Sequence, residues 1–283
     1  MGGIVKIGVF GSRGRLGSCL ISEGCIPLEC DILDEQGMKE ALSGHPVDTL
    51  INCAAYTNVD EAETPDGQKE ALKVNSRGVF YIKKVLEENF PETRFIHISS
   101  DYVFSGHNGP YTEHARPYKP INQYGWSKYG GEIHFLNPFM VGDVLVRTTG
   151  LYGGMGYDFS SLVVSWLKEE EDKLLVTEEL YGNQTYAPHL AKALIHIAHM
   201  REDCPTIVNV GSREVISRYE FAKSIATHFG LDSNRLVACS NSEIPIWEAK
   251  RPTKGGLDTN LAISLGIPIY TIEEGLKELT SEI

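Results

Sequence analysis

The chain has 283 residues, 42% hydrophobic and 23% charged, with 26 Lys plus Arg against 38 Asp plus Glu and a net charge of −12. This globular composition argues against a disordered or fibrous chain, and at roughly 150 residues per domain the length suggests about two domains. A net-negative chain without clustered cations argues against a nucleic-acid or anionic-membrane binder, because counterion release needs a concentrated basic face.

Met1-Gly2-Gly3 runs straight into the strand-like Ile4-Val5-Lys6-Ile7-Gly8-Val9-Phe10, so no signal-peptide pattern is present. A myristoylation signal at Met1-Gly2 is set aside because position 6 is Lys rather than Ser or Thr. Strands are expected at 4–10, 26–30, 47–53, 94–99 and 143–148, with amphipathic helices between them at 15–23, 35–43, 66–88 and 123–137. Alternation at this spacing requires parallel pairing through right-handed crossovers, hence an α/β fold with a doubly wound parallel sheet. Beyond residue 150 a helix is expected at 159–168, with Phe159, Leu162, Val163, Trp166 and Leu167 on a core stripe. A helix at 187–200, a strand at 206–210 and a helix at 218–229 follow. Lys168-Glu169-Glu170-Glu171-Asp172-Lys173 is a solvated helix end.

The six cysteines (Cys19, Cys25, Cys30, Cys53, Cys204, Cys239) form no C-x-x-C pair and sit mostly in apolar segments. They are expected to be reduced and buried, in a cytoplasmic protein. No stretch approaches the roughly 18 apolar residues of a membrane helix.

Gly11-Ser12-Arg13-Gly14-Arg15-Leu16-Gly17 follows the first strand and opens the first helix. Glycines there permit a tight turn and bring backbone N–H groups against a pyrophosphate at the positive helix end, so a dinucleotide is expected. Gly150, Gly153 and Gly156 repeat the spacing without a βαβ unit and are read as a flexible domain crossing. Asp31, twenty residues after Gly11, is placed for the ribose or the adenine of the cofactor. Arg13 could meet a 2′-phosphate bidentately or be a solvated loop charge, which inclines the choice between NADP and NAD slightly toward NADPH.

Tyr124 and Lys128 stand four residues apart, on one face of a helix. A phenol has an ordinary pKa of roughly 10, so a neighbouring ammonium that stabilises the phenolate would make it a proton exchanger near neutrality. Tyr219 and Lys223 share the spacing, but Ile195 stands 24 residues before Tyr219, whereas Ser100 stands 24 before Tyr124. Ser100 ends an apolar strand, and strand carboxyl ends face the ligand crevice of open α/β sheets.

The chain resembles the extended short-chain dehydrogenase/reductases, and within them the dTDP-4-dehydrorhamnose reductase family. Ile51 through Glu63 is similar to that family's third-strand motif, Val74-Asn75 to its helix-four asparagine, and Ser99 through Gly106 to its S-T-D-Y-V-F-x-G. Tyr124 through Glu132 is similar to its Y-G-x-S-K-x-x-G-E, and Arg147-Thr148, Arg251-Pro252 and Leu257-Asp258 to later segments. The resemblance implies a Rossmann-type NAD(P)-binding domain over 1–150 plus about 187–215, and a smaller C-terminal substrate-binding subdomain over 151–186 and 216–283. It implies hydride transfer to the C4 keto group of a nucleotide-linked 6-deoxyhexose, with Tyr124 protonating the oxygen, Ser100 hydrogen-bonding it, and Lys128 tuning Tyr124 and holding the nicotinamide ribose. It places Gly11, Ser12, Arg13, Gly14, Arg15, Leu16, Gly17, Asp31, Ile32, Ala54, Ala55, Tyr56 and Asn75, with Tyr124 and Lys128, at the cofactor. Thr57, Val59, Ser100, Asp101, Tyr102 and Arg251 fall at the sugar nucleotide. A homodimer is compatible with the same resemblance.

The substrate side departs from the family pattern. Gly150 stands near the usual Trp position, with Leu151 or Tyr152 as its candidate replacement; Tyr157-Asp158-Phe159 replaces N-N-F, and Gln184-Thr185 replaces Pro-Thr. Asp158 would repel a nearby diphosphate. These departures leave open a non-catalytic, cofactor-binding relative resembling the methionine adenosyltransferase β-subunit, or another extended epimerase or dehydratase, though Tyr102 rather than Glu after Asp101 argues against a dehydratase. His189, His196 and His199 lack a suitable Cys or carboxylate partner, so no metal is expected. Asp60 and Glu63 are read as capping or solvated helix-start residues.

Overall fold

Strand β1 (Ile7–Phe10) is the run IGVF with every residue buried, and β3 (Thr49–Asn52) and β5 (Val144–Thr148) are buried just as continuously. Such runs are strands covered on both faces, as parallel sheets require. The computed structural model describes residues 5–117, 119–137, 140–170, 172–200, 204–244 and 246–279. The Met1-Gly2 pair, the expected strand start at Ile4 and Glu171 of the acidic run lie outside the described residues.

In chain order, β1 leads to α1 (Arg15–Ser22), β2 (Ile26–Pro27), α2 (Glu35–Gly44), β3, α3 (Pro65–Leu72), α4 (Gly78–Asn89), β4 (Arg94–Ser100), α5 (Gln123–Leu136) and β5. There follow β6 (Leu151–Tyr152), α6 (Phe159–Glu169), β7 (Leu174–Thr177), β8 (Tyr181–Gly182), β9 (Thr185–Tyr186), α7 (Ala187–Met200) and β10 (Ile207–Asn209). The described chain closes with β11 (Ile216–Ser217), α8 (Arg218–His228), β12 (Leu236–Cys239), α9 (Asn260–Ser264) and α10 (Ile272–Leu279).

The main sheet has the order β10-β5-β4-β3-β1-β2 with every pairing parallel. Strands leave β1 toward opposite edges, β2 to one side and β3 to the other, so a crevice opens at the carboxyl ends of β1 and β3. One sheet face packs on α1 and α7 through Leu16, Leu20, Leu190, Leu194 and Ile197. The other packs on α2, α4 and α5 through Met38, Leu42, Ile82, Val85 and Phe135. A separate core gathers Tyr152, Val163, Val164, Leu167, Val176, Phe221, Ile225 and Leu276 from β6, α6, α8, α10 and the parallel β7–β12 pair.

Two expectations are corrected. The strand expected over 26–30 ends at Pro27, which cannot donate to a ladder and is tolerated because β2 is the sheet edge. The helix expected over 66–88 is interrupted by a π-helical turn at Lys73–Arg77, which separates α3 from α4 and carries Asn75.

Helix α5 is fastened from beneath. Glu132 Oε1 accepts from Ser99 Oγ at 2.6 Å and from Arg147 Nε at 2.9 Å, while its Oε2 accepts from Arg147 Nη2 at 2.8 Å. Glu132 and Arg147 are each 1% exposed. Breaking one side of such a pair strands a buried charge, which costs about 3–5 kcal/mol. Glu132→Ala should therefore lower the unfolding free energy by about that much in urea titrations. Glu273→Ala, which breaks the exposed i,i+4 pair with Lys277, should leave the midpoint unmoved. Equal midpoints for the two variants would contradict this.

Candidate active site

The glycine turn places α1 across the end of the sheet. Gly11 has φ +75°, and a Cβ there would strike the backbone of Ala54 at the end of β3; a Cβ on Gly17 would strike the Gly11 carbonyl. Gly14 N–H donates to Gly11 O at 3.0 Å and caps α1 without a side chain, leaving first-turn N–H groups for an anion. These features fit a dinucleotide pyrophosphate. A cleft of about 500 Å³ runs from Gly14, Arg15 and Leu16 past Cys53, Ala55, Thr57 and Val59 to the Ile98–Tyr102 strand end, Tyr124, Lys128 and Thr148–Leu151.

The cleft thus gathers Gly14, Arg15, Leu16, Ala55, Thr57, Val59, Ser100, Asp101, Tyr102, Tyr124 and Lys128, while Gly11 and Gly17 shape its turn. Other site residues lie behind or beside it. Ser12 Oγ donates to Glu29 Oε1 at 2.7 Å, and the same carboxylate pairs with Arg13 at 2.5 Å, the Arg13 side chain being 83% exposed. Asp31 is exposed and accepts from Leu33 N–H; Ile32 is buried beneath Gly78. Ala54 N–H donates to Asn52 Oδ1. Asn75 is spent on structure: its Oδ1 accepts from Tyr56 N–H, and its Nδ2 donates to Tyr56 O and to Ser127 Oγ of α5, all within 2.9–3.0 Å. Arg251 is bound to Asp60 at 2.5 Å.

Helix α5 starts at the Asn122 cap, whose Oδ1 accepts from Gly125 N–H at 2.7 Å, so Tyr124 sits in its first turn. Tyr124 lines the cleft with Ser100 and meets the Tyr102 ring edge-on at 5.6 Å. Ser100 Oγ also donates to Asp101 Oδ1 at 3.2 Å and accepts from Tyr102 N–H at 3.2 Å. Burial pushes the Tyr124 phenol well above its ordinary range; the Ser100 hydroxyl opposes this, while Tyr102 and Asp101 add to it. Lys128 donates to Ile98 O at 2.7 Å, and burial pulls its pKa down to about 8, with Glu132 and Cys53 opposing. Tyr124 therefore keeps its proton through the neutral range. Such a phenol is arranged to give a proton to an oxygen that also meets Ser100.

Several features were not foreseen from the sequence. Arg15 reaches across the cleft, where Nη1 donates to Gly153 O at 2.6 Å and to Asp158 Oδ2 at 2.8 Å and Nη2 to Tyr157 O at 3.0 Å. Asp158 caps α6 with a capping box, and although burial opposes ionisation, hydrogen bonds from Ser160, Ser161 and Gly153 and the charge of Arg15 hold its carboxyl below the ordinary range. The repulsion expected from Asp158 is offset in place. Tyr152 is 1% exposed and belongs to the separate core, so of the two candidate replacements for the missing aromatic only Leu151 lines the cleft. Asp60 also accepts from Glu248 and Ala249 N–H and so anchors that segment, while Glu63 accepts at 2.8 Å from the N–H of Gln123, the first residue of α5, and serves that helix start. His189 bonds Glu278 at 2.9 Å and stacks on Tyr270, and His199 bonds Ile195 O. Among the described residues no three His, Cys, Asp or Glu side chains are grouped for a metal ion, and no helix is long and apolar enough to cross a membrane.

Residues 5–283 match a family model described as the RmlD substrate binding domain. The chain is 30% identical over 238 residues to a dTDP-4-keto-6-deoxy-D-glucose reductase of Streptomyces niveus, covering 81% of this chain and 80% of that one. It is 30% identical over 256 residues to the dTDP-4-dehydrorhamnose reductase of Mycobacterium tuberculosis, covering 85% and 81%. The crystal structure of dTDP-4-dehydrorhamnose reductase from Bacillus anthracis in complex with NADP superposes with a TM-score of 0.88 at 27% identity, covering 99% of each chain.

Burial also pushes the Asp101 carboxyl up to about 6, against hydrogen bonds from Gly256 N–H and Ser100. A carboxyl whose folded pKa exceeds its unfolded one costs stability where it ionises, so the penalty is absent below pH 4 and complete above about pH 6. Relative to the parent chain, Asp101→Asn should thus gain about 2–3 kcal/mol between pH 4 and pH 8 in chemical denaturation. A difference independent of pH would show that Asp101 ionises freely in the fold.

Proposed function

The chain belongs to the dTDP-4-dehydrorhamnose reductase (RmlD) family, and on that premise we propose that it reduces the C4 keto group of a nucleotide-linked 4-keto-6-deoxyhexose with NAD(P)H. The observation that carries this reading is that Ser100, Tyr124 and Lys128 line one cleft with a glycine turn fit for a dinucleotide. A bound nicotinamide supplies the hydride. Tyr124 gives its proton to the oxygen that becomes the alkoxide, and Ser100 donates a hydrogen bond to the same oxygen. Lys128, buried one turn along α5, holds the nicotinamide ribose and offsets the phenolate left on Tyr124. Thr57, Val59, Asp101 and Tyr102 face the sugar.

The separate core around α6, α8 and α10 supports dividing the chain into a cofactor domain over 1–150 plus about 187–215 and a substrate subdomain over 151–186 and 216–283. An exposed Arg13 beside the turn supports NADPH over NADH, as does the NADP in the Bacillus anthracis structure. The cytoplasm is the compartment this chemistry suits, and a homodimer its assembly. A non-catalytic reading loses one of its motives, because Asp158 is paired with Arg15.

Purified protein should oxidise NADPH when given enzymatically made 4-keto-6-deoxy nucleotide sugars. Tyr124→Phe should lower kcat by about 100-fold or more while the NADPH Kd stays within a few-fold. Tight NADPH binding with no turnover of any such sugar would overturn the assignment. For cofactor choice, Arg13→Ala should weaken NADPH about 10-fold more than NADH, as loss of a charge-assisted contact to the 2′-phosphate requires; equal losses would remove Arg13 from that role.

A further inference from the structure

Strand β2 is short, but its pairing with β1 continues past its end. Gly8 lies beside Ile26 and Val9 beside Pro27, and Leu28 N–H donates to Val9 O at 3.0 Å. That register brings Glu29 alongside the glycine turn. There its carboxylate is divided between the two residues that follow Gly11: Oε1 accepts from Ser12 Oγ at 2.7 Å, and Oε2 pairs with Arg13 Nη2 at 2.5 Å. Asp31, the acid that spacing alone puts at the ribose, accepts from Leu33 N–H at 2.9 Å. The carboxylate that meets the turn is therefore that of Glu29.

In a doubly wound sheet the pyrophosphate sits on the N-terminus of the first helix, and the adenosine ribose falls toward the end of the second strand. An acid there accepts from a 2′-hydroxyl, and an arginine there meets a 2′-phosphate. This chain has both groups, and each holds the other. A 2′-phosphate needs the donors that Glu29 already occupies, Ser12 Oγ and the Arg13 guanidinium, and it brings roughly two negative charges beside a carboxylate. A ribose with a free 2′-hydroxyl makes no such demand. The Arg13 and Glu29 side chains are 83% and 50% exposed, and exposed ion pairs hold weakly, so this one opens at modest cost.

We infer that Glu29 sets how this chain ranks the two nicotinamide cofactors, by competing with the 2′-phosphate of NADPH for Ser12 and Arg13. NADH binds with the Glu29–Arg13 pair closed, and NADPH binds only as the pair opens, so the preference that Arg13 confers is held in check by its own partner. The inference rests on the reading of the glycine turn as the cofactor site, but its test needs binding alone and no turnover. Calorimetry with NADPH and NADH compares the full-length parent chain with Glu29→Gln, which keeps the length and polarity of the side chain without its charge, with Arg13→Ala, and with the double variant. Glu29→Gln should tighten NADPH by about 5- to 10-fold, the scale of releasing an exposed ion pair and removing a like charge, with NADH within about twofold. In the Arg13→Ala background the same change should gain about twofold or less, because the donor it would release is gone.

NADPH affinity that Glu29→Gln leaves unmoved would overturn the inference, and so would a gain as large without Arg13 as with it. A selective loss of NADH affinity would place Glu29 on the ribose hydroxyls, and an equal weakening of both cofactors would make it only a brace for the turn; either result overturns the competition. Cofactor binding that is indifferent to Glu29 would sink this inference and leave the cofactor reading standing. A parent chain that binds neither NADPH nor NADH would overturn both.

Discussion

The buried carboxylate of Glu132 sets the geometry on which the cleft depends. It ties α5 to β4 through Ser99 and to β5 through Arg147. Tyr124, Lys128 and Glu132 recur every four residues, so one helical face carries the cleft phenol, the buried ammonium and the fastening. Lys128 adds a second tie to β4 at Ile98, and Asn75 a third, from the π turn to Ser127. With its rotation about the helix axis fixed, α5 can present Tyr124 to the Ser100 hydroxyl in one way. Paired buried charges of this kind are weak sources of net stability and more credible as devices that specify one arrangement.

Charge within the cleft is managed locally. The chain is acidic overall, with a net charge of −12, yet the cleft opens at one end on the N-terminus of α1, where first-turn N–H groups can meet an anion. Global charge thus argues against long polyanions without arguing against a small phosphorylated ligand. Further along the cleft lie groups whose burial favours their neutral forms, the phenol of Tyr124 and the carboxyl of Asp101. A neutral phenol is the form a reductase step requires.

The sheet was legible in the sequence because buried parallel strands read as apolar runs and the helices between them keep a 3.6-residue stripe. The glycine turn and the Ser100, Tyr124 and Lys128 set stood out as residue types at fixed spacings, and the structure brings them together at one cleft. What escaped depends on contacts between distant segments. Arg15 read as a cofactor residue, and nothing near it in sequence shows that Asp158, 143 positions later, takes its charge. Glu132 and Arg147 stood in recognisable motifs, but their partnership follows from the register of β4 beside β5. Tyr152 looked free to replace a missing aromatic until the packing of α6, α8 and α10 claimed it.

The coupling between the fastening of α5 and the proton donor is open to a double-mutant cycle on single-turnover cofactor oxidation, with Glu132→Gln, Tyr124→Phe and the pair compared at saturating ligands. If Glu132 acts by aiming Tyr124, each single variant slows the chemical step, and the double variant is no slower than Tyr124→Phe alone. Losses that simply multiply would mean that Glu132 stabilises the fold without directing the phenol, and the geometry described for the cleft would lose its foundation.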